Sequence, residues 1–210
     1  NGGIPLDLTK YMARDYLVES FVKVKSATKF LLAAATGAGK ETSTLALLVH
    51  LHDVKKYNTK TLNVAVATIP STVSELMNEL ATVSGMEVDG YGFIDYSRIK
   101  IYIIRQWYNA YKADCSNFAK SMMSARATIV DSVSDIPTTH APGVVPVLFG
   151  SYHDLAQKSG DKLSSRYEGL EKRIGTLSIG EAHQMLSTAD NKMWKNLELV
   201  FGKKCFKLFV

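Results

Sequence analysis

The stretch LLAAATGAGKETSTLALL, residues 31–48, decides the fold. An apolar run meets a glycine turn and a lysine, and an amphipathic stretch follows. The run predicts a short buried strand over Phe30–Ala35, and the amphipathic stretch a helix over Lys40–Leu51. A glycine-rich turn between strand and helix leaves backbone N–H groups unpaired and aimed into one concavity, where the helix N-terminus adds partial positive charge. Gly37 and Gly39 tolerate turn dihedrals and let an anion approach the backbone. Lys40 would reach the outer oxygens of a polyphosphate. The plainer alternative is a strand-to-helix turn with a solvated lysine.

Working outward, apolar strands alternate with helices. TLNVAVAT (61–68) reads as a strand ending at Ile69-Pro70, and Thr72 with Glu75 has capping-box spacing for a helix through about Val83. VVPVLFGSY (144–152), IGTLSIG (174–180) and KCFKLFV (204–210) read as further strands, and Tyr11–Lys25 as a helix. Between Gly85 and Gly143 the pattern gives a strand at Ile99–Ile104, a helix by Asn109–Met123 and a loop at 135–143. That region is long for a plain connection and predicts an insertion. Strands alternating with helices imply an α/β domain over 1–210, with a mainly parallel sheet covered on both faces.

With 210 residues, 46% of them hydrophobic, the chain can bury a core without staples. Cys115 and Cys205 form neither a metal pattern nor a disulfide framework, which suggests a reducing compartment. No stretch is long and apolar enough to span a membrane, and the first residues do not form a signal peptide, so a cytoplasmic protein without membrane contact is expected. A formal charge of +5 permits a phosphate-rich partner.

The common phosphate-loop pattern is G-x-x-x-x-G-K-[ST]. Here Ala34 stands at its first glycine and Glu41 at its hydroxyl residue. A second motif, LSIGEAHQML (177–186), follows an apolar strand. GEAH resembles the D-E-A-H box of superfamily-two helicases and translocases, whose loop often reads A-x-T-G-x-G-K-T, as Ala34 to Lys40 do. ARDYLVESF (13–21) resembles that family's R-x-Y-Q helix. VAVATIPSTVSELMNEL (64–80) resembles the strand, turn and helix that touch nucleic acid. VLFGSYHDL (147–155) resembles the T-Y-x-S-L-like segment, and KLFV (207–210) the strand leading into T-A-T-P. The order is the family's, and the likeness is greatest to motor subunits of restriction enzymes and related phage or bacterial helicases.

The resemblance implies the first RecA-like P-loop domain of a DNA helicase or translocase, more a DNA than an RNA enzyme. ATP and Mg²⁺ are the implied cofactors. Thr36, Gly37, Ala38, Gly39, Lys40, Glu41 and Thr42 would surround the phosphates, and Arg14 and Tyr16 the purine. Glu181 would activate the attacking water with Lys40 beside it, and His183 would couple the site to the rest of the motor. Ser71, Thr72 and Tyr152 would touch nucleic acid. In the family a second motor domain supplies a further arginine, so this chain is expected to be a piece of a longer protein.

Three positions depart from the family. Leu17 stands at the adenine-reading glutamine and lacks an amide's paired donor and acceptor. Adenine selectivity should suffer, while Arg14 and Tyr16 could still hold a purine. Glu41 replaces the hydroxyl that ligates Mg²⁺, and Gly180 replaces the aspartate that holds the same ion. Glu41 could bind the metal itself, as oxygen chemistry suits a hard cation. It could instead impair the site by repelling phosphate or neutralising Lys40, or simply favour the empty fold at a helix N-terminus. An altered sequence is a further explanation. Hydrolysis is expected to be slow or absent. The alternatives are a degenerate motor domain that binds nucleic acid or a partner without chemistry, and a small kinase with the same loop.

Arg98, Lys100, Arg105, Lys112, Lys120 and Arg126 interleave with Tyr102, Trp107, Tyr108 and Tyr111. Such a mixture suits single strands, but an aromatic core with solvated charges explains it more simply. His50 and His52, two apart on a helix, do not share a face for a metal. His153-Asp154 falls at a strand end, where family position suggests nucleic-acid contact. Capping a helix explains Ser71 and Thr72 without a ligand.

Overall fold

The computed structural model describes residues 9–33, 38–67, 70–111, 127–156, 163–183 and 192–210. Their strands are β1 (Thr9–Met12), β2 (Lys29–Leu31), β3 (Leu62–Ala67), β4 (Val83–Val88), β5 (Gly92–Asp95), β6 (Ile99–Ile104), β7 (Ala127–Val130), β8 (Val145–Ser151), β9 (Ile174–Gly180) and β10 (Phe206–Phe209). The helices are α1 (Asp15–Val24), α2 (Lys40–Val54), α3 (Pro70–Thr82), α4 (Arg105–Tyr111), α5 (Tyr152–Leu155) and α6 (Lys192–Phe201).

Seven of these strands form one sheet in the order β2-β10-β9-β3-β8-β6-β7, and every pairing in it is parallel. Side chains alternate across it with period two. Ala65, Ile101, Ile103, Val147 and Phe149 face one core, with Leu17 and Phe21 of α1, Leu45 and Leu48 of α2, and Leu76 and Leu80 of α3. Val64, Val66, Tyr102, Ile104, Leu148, Leu177 and Ile179 face the other, with Leu155 of α5 and Leu197 and Phe201 of α6. The chain is therefore an α/β protein with helices on both faces of a parallel sheet.

Helix α2 is not the amphipathic surface helix its sequence suggested. Every residue from Thr42 to His52 is buried. One side meets β8 and β9, and the others meet α1, α3 and a second sheet, β1-β4-β5. A helix enclosed on all sides has no polar face to keep wet. Its histidines are absorbed into packing. His50 stacks on Phe21 at 4.0 Å, with Nε2 3.1 Å from the Phe21 carbonyl, and His52 Nδ1 lies 3.3 Å from Asn63 Nδ2.

Several boundaries depart from expectation. The stretch beginning at Tyr11 opens as strand β1, and α1 starts only at Asp15, where Arg14 is extended. Helix α3 begins at Pro70, the first helical position that proline's fixed φ favours. The backbone of Thr72 therefore lies inside the helix and not at its N-cap. Within the stretch 85–143, residues 112–126 lie outside the described ones. β4 and β5 complete the small sheet, while β6 and β7 lie in the main one. Among the described residues no helix is long and apolar enough to cross a membrane.

Candidate functional site

The recess of interest lies at the carboxyl ends of β3 and β9, lined by Lys40, Glu41, Thr44, Gly180, Glu181 and Val210 among others. Gly39 caps α2 with φ +77°, the left-handed conformation glycine adopts without steric cost. Its carbonyl accepts from Ser43 N–H at 3.0 Å, starting the helix at Lys40. Thr44 Oγ1 donates to the Lys40 carbonyl at 2.7 Å. Tyr16 braces the turn from α1: its hydroxyl donates to the Ala38 carbonyl at 2.9 Å and lies 2.8 Å from Ser43 Oγ.

Glu181 follows the last residue of β9 and holds φ +54°, unusual for a residue with a Cβ. The ladder of β10 fixes this turn. Val210 N–H donates to the Ile179 carbonyl, and Ala182 N–H donates to the Val210 carbonyl, both at 2.9 Å. Glu181 Oε1 then lies 3.8 Å from Lys40 Nζ, and Oε2 lies 3.3 Å from His183 Nδ1. Lys40, Glu181 and His183, drawn from two distant motifs, are thus gathered in one place.

No family model and no curated protein matches the chain.

Two acidic residues of α3 lie near Glu41, and of these Glu75 is also close to Lys40 and Glu181. The Glu75 carboxyl is held above the usual carboxylate range, first by burial and then by the charge of Glu41 and a hydrogen bond to it. Glu181 adds to the effect and Lys40 opposes it. Glu79 is likewise raised by burial, against a hydrogen bond from Thr42 Oγ1 at 3.2 Å, with Glu41 adding to the rise. The available signal was spacing: Glu75 and Glu79 are four apart and share a helix face. Tyr96, buried in the core, donates from its hydroxyl to the Thr42 carbonyl.

Other expected site residues lie elsewhere. Thr42 is buried, with its hydroxyl on Glu79, so it does not face a phosphate. Leu17, at the position of the family's glutamine, is 1% exposed and packs in the core. Tyr152, expected at nucleic acid, is also 1% exposed, because α5 turns it into the second core. Arg14 is exposed at the start of α1. Thr36 and Gly37 lie outside the described residues, as do the side chains of Ser71 and Thr72. The loop strand β2 and the box strand β9 do not adjoin, since β10 lies between them.

The basic and aromatic stretch resolves into packing where it is described. Trp107 and Tyr102 are buried. Arg98 forks onto Asp53 at 2.6 and 2.9 Å, and Arg105 Nε donates to Asp131 at 2.7 Å.

Among the described residues no group of three or more His, Cys, Asp or Glu side chains stands ready to hold a metal ion. The donor set nevertheless suits one demand. Mg²⁺ takes one or two carboxylates and fills its remaining positions with water or phosphate oxygens, and the adjacent Glu41 and Glu75 carboxyls provide two. Without a cation, their charges oppose a polyphosphate at Lys40.

Proposed function

We propose that this chain is a RecA-like nucleotide-binding domain, the first motor domain of a superfamily-two DNA helicase or translocase, with weak ATP binding and slow hydrolysis. The observation that carries the reading is the approach of Lys40 to Glu181 at 3.8 Å, beside the glycine-capped start of a helix. A lysine there meets the outer phosphates of ATP, backed by the N–H groups of the first turn. Glu181, turned toward the same point, would orient water and accept its proton. Bound Mg²⁺ would offset the charge of the phosphates, with Glu41 and Glu75 as its protein oxygens. The nucleic-acid partner and the second motor domain follow from the resemblance to the family.

A second reading has its own support. Glu41, Glu75 and Glu181 crowd around one lysine, and they favour a domain that keeps the motor fold and binds a partner without hydrolysis.

Calorimetric titration of ATP with and without Mg²⁺ tests both. Mg²⁺-dependent binding that is lost in Glu41→Ala and Glu75→Ala supports the relocated cation ligands, and DNA-stimulated hydrolysis supports the motor. Binding that appears only in Glu41→Thr combined with Gly180→Asp supports the damaged site. Absence of binding in every variant removes the phosphate-site reading.

A further inference from the structure

We infer that His52, Asn63 and the Pro146 carbonyl form a proton-sensitive latch, which ties α2 to strands β3 and β8 and opens when His52 gains a proton. The inference does not depend on what the recess at Lys40 binds.

Asn63 is fully buried, and its Nδ2 lies 3.3 Å from both the Pro146 carbonyl and His52 Nδ1. A carbonyl only accepts, so the amide nitrogen, and not its oxygen, belongs at this point. Its two hydrogens then go one to the carbonyl and one to the imidazole. His52 Nδ1 must therefore be bare, with the ring proton on Nε2. A second ring proton has only Nδ1 to occupy, where it would face an amide donor. Turning the amide over gives no escape. It would accept from His52 but set the Asn63 oxygen against the Pro146 carbonyl oxygen. Either the tie from α2 to β3 or the tie from β3 to β8 has to break.

The other histidines packed inside the chain have no such conflict. His50 Nε2 donates to the Phe21 carbonyl at 3.1 Å, and that bond survives a proton on the other nitrogen. His140 Nε2 lies 2.9 Å from the Tyr102 hydroxyl, which can give or receive. Around His52, burial holds the imidazole below its ordinary value of 6.5. The charge of Asp53 opposes this, while those of Arg98 and His140 add to it. Asp53 is itself forked by Arg98, and the Tyr57 ring meets His52 edge-on at 5.7 Å. The latch holds the last turns of the helix that Lys40 begins. Opening it loosens that helix from the sheet at the end remote from Lys40.

The test follows the ring nitrogens of the full chain by nitrogen NMR from about pH 8 to about pH 5, the window in which histidine titrates. At the upper end His52 is expected to show a bare Nδ1 and a protonated Nε2, and titration of His52 should shift the Asn63 amide signals in step. A proton on Nδ1 at the upper end, or a titration that leaves the Asn63 amide unmoved, overturns the latch. His52→Asn places an acceptor where Nδ1 stands and cannot take a proton. The unfolded chain protonates His52 below about 6.5 and the folded chain resists it, so stability from this group is present above that value and lost as pH falls through the lowered one. Below about 6.5 the folding constant of the unaltered chain should fall against that of the variant by up to about tenfold per pH unit. His50 and His140, which burial also lowers, act in both chains and cancel. Parallel pH profiles overturn the inference, and the ring-nitrogen signals of the unaltered chain decide it should the variant fail to fold.

Discussion

Lys40 Nζ and Glu181 Oε1 stand 3.8 Å apart although the strands that lead to them are separated by a third. The approach is possible because Lys40 begins a helix that runs back over the sheet, while Glu181 lies just past the end of its strand. The intervening β10 helps to make the contact, since Val210 anchors the turn that aims Glu181.

Removing the lysine should separate binding from stability. The two side chains are 22% and 26% exposed, and a pair so placed contributes at most about 1 kcal/mol. Lys40→Ala is expected to leave the melting temperature nearly unchanged. It should weaken ATP by about tenfold or more, as expected for a lost charge-assisted contact. Calorimetry and thermal melting on the same samples check both halves.

The backbone at Glu181 offers a second separation. A left-handed conformation costs a residue with a Cβ about 1–2 kcal/mol, and glycine escapes that cost. Lys56 shares the conformation at φ +53° in the turn after α2 and serves as a control. Lys56→Gly is expected to raise stability by about 1 kcal/mol. Glu181→Gly should gain less, because the ion pair with Lys40 is lost as well, and it should abolish any hydrolysis. Urea unfolding and a phosphate-release assay give the two readouts.

The raised carboxyl of Glu79 fixes a sign with pH. The folded state holds the Glu79 proton above the ordinary value of 4.5, where the unfolded chain has released it. Stability from this group is therefore present below that value and lost as pH rises through the raised one. Glu79→Gln keeps an acceptor for Thr42 Oγ1 and removes the buried charge. The variant is expected to gain on the unaltered chain as pH increases above about 4.5, and melting curves at several pH values measure the difference.

Gly85 tests the small sheet. It sits between β1 and β5, opposite Lys10 and Asp95. An added Cβ would collide with the Ile94 carbonyl and the Phe93 ring. The carbonyl belongs to the paired backbone and cannot swing away. Gly85→Ala is expected to destabilise by about 2 kcal/mol, within the usual cost of overpacking, as measured by urea unfolding.

The parts of this fold that were legible in sequence carried unbroken patterns. Ile99–Ile104 and Ile174–Gly180 are apolar runs long enough for buried parallel strands, and both lie where their sequences put them. The helix start at Lys40 followed from the glycine before it. The small sheet gave no such signal. Thr9–Met12 is a four-residue strand poor in branched residues, and β4 leaves α3 directly after Thr82 with no turn residue between them. Within the site, Lys40 and Glu181 were legible because each belongs to a local motif. Thr72, three residues before it, gives Glu75 the spacing of a capping residue. Its actual neighbour, Glu41, is distant in sequence and is brought near only by the packing of α3 on α2. Tyr152 misled for a related reason: a residue at a strand end can turn inward once the next turn begins, and sequence position does not record the direction.

Among the described residues strand β2 pairs with β10 alone, which is synthesised long after it. During translation the glycine turn would thus emerge on an unsupported segment, and no ligand pocket could close until Phe206–Phe209 left the ribosome and slid into the vacant slot. Truncation upstream of Phe206 should yield a nascent chain with an open seam beside β9, an invitation to chaperones or to aggregation.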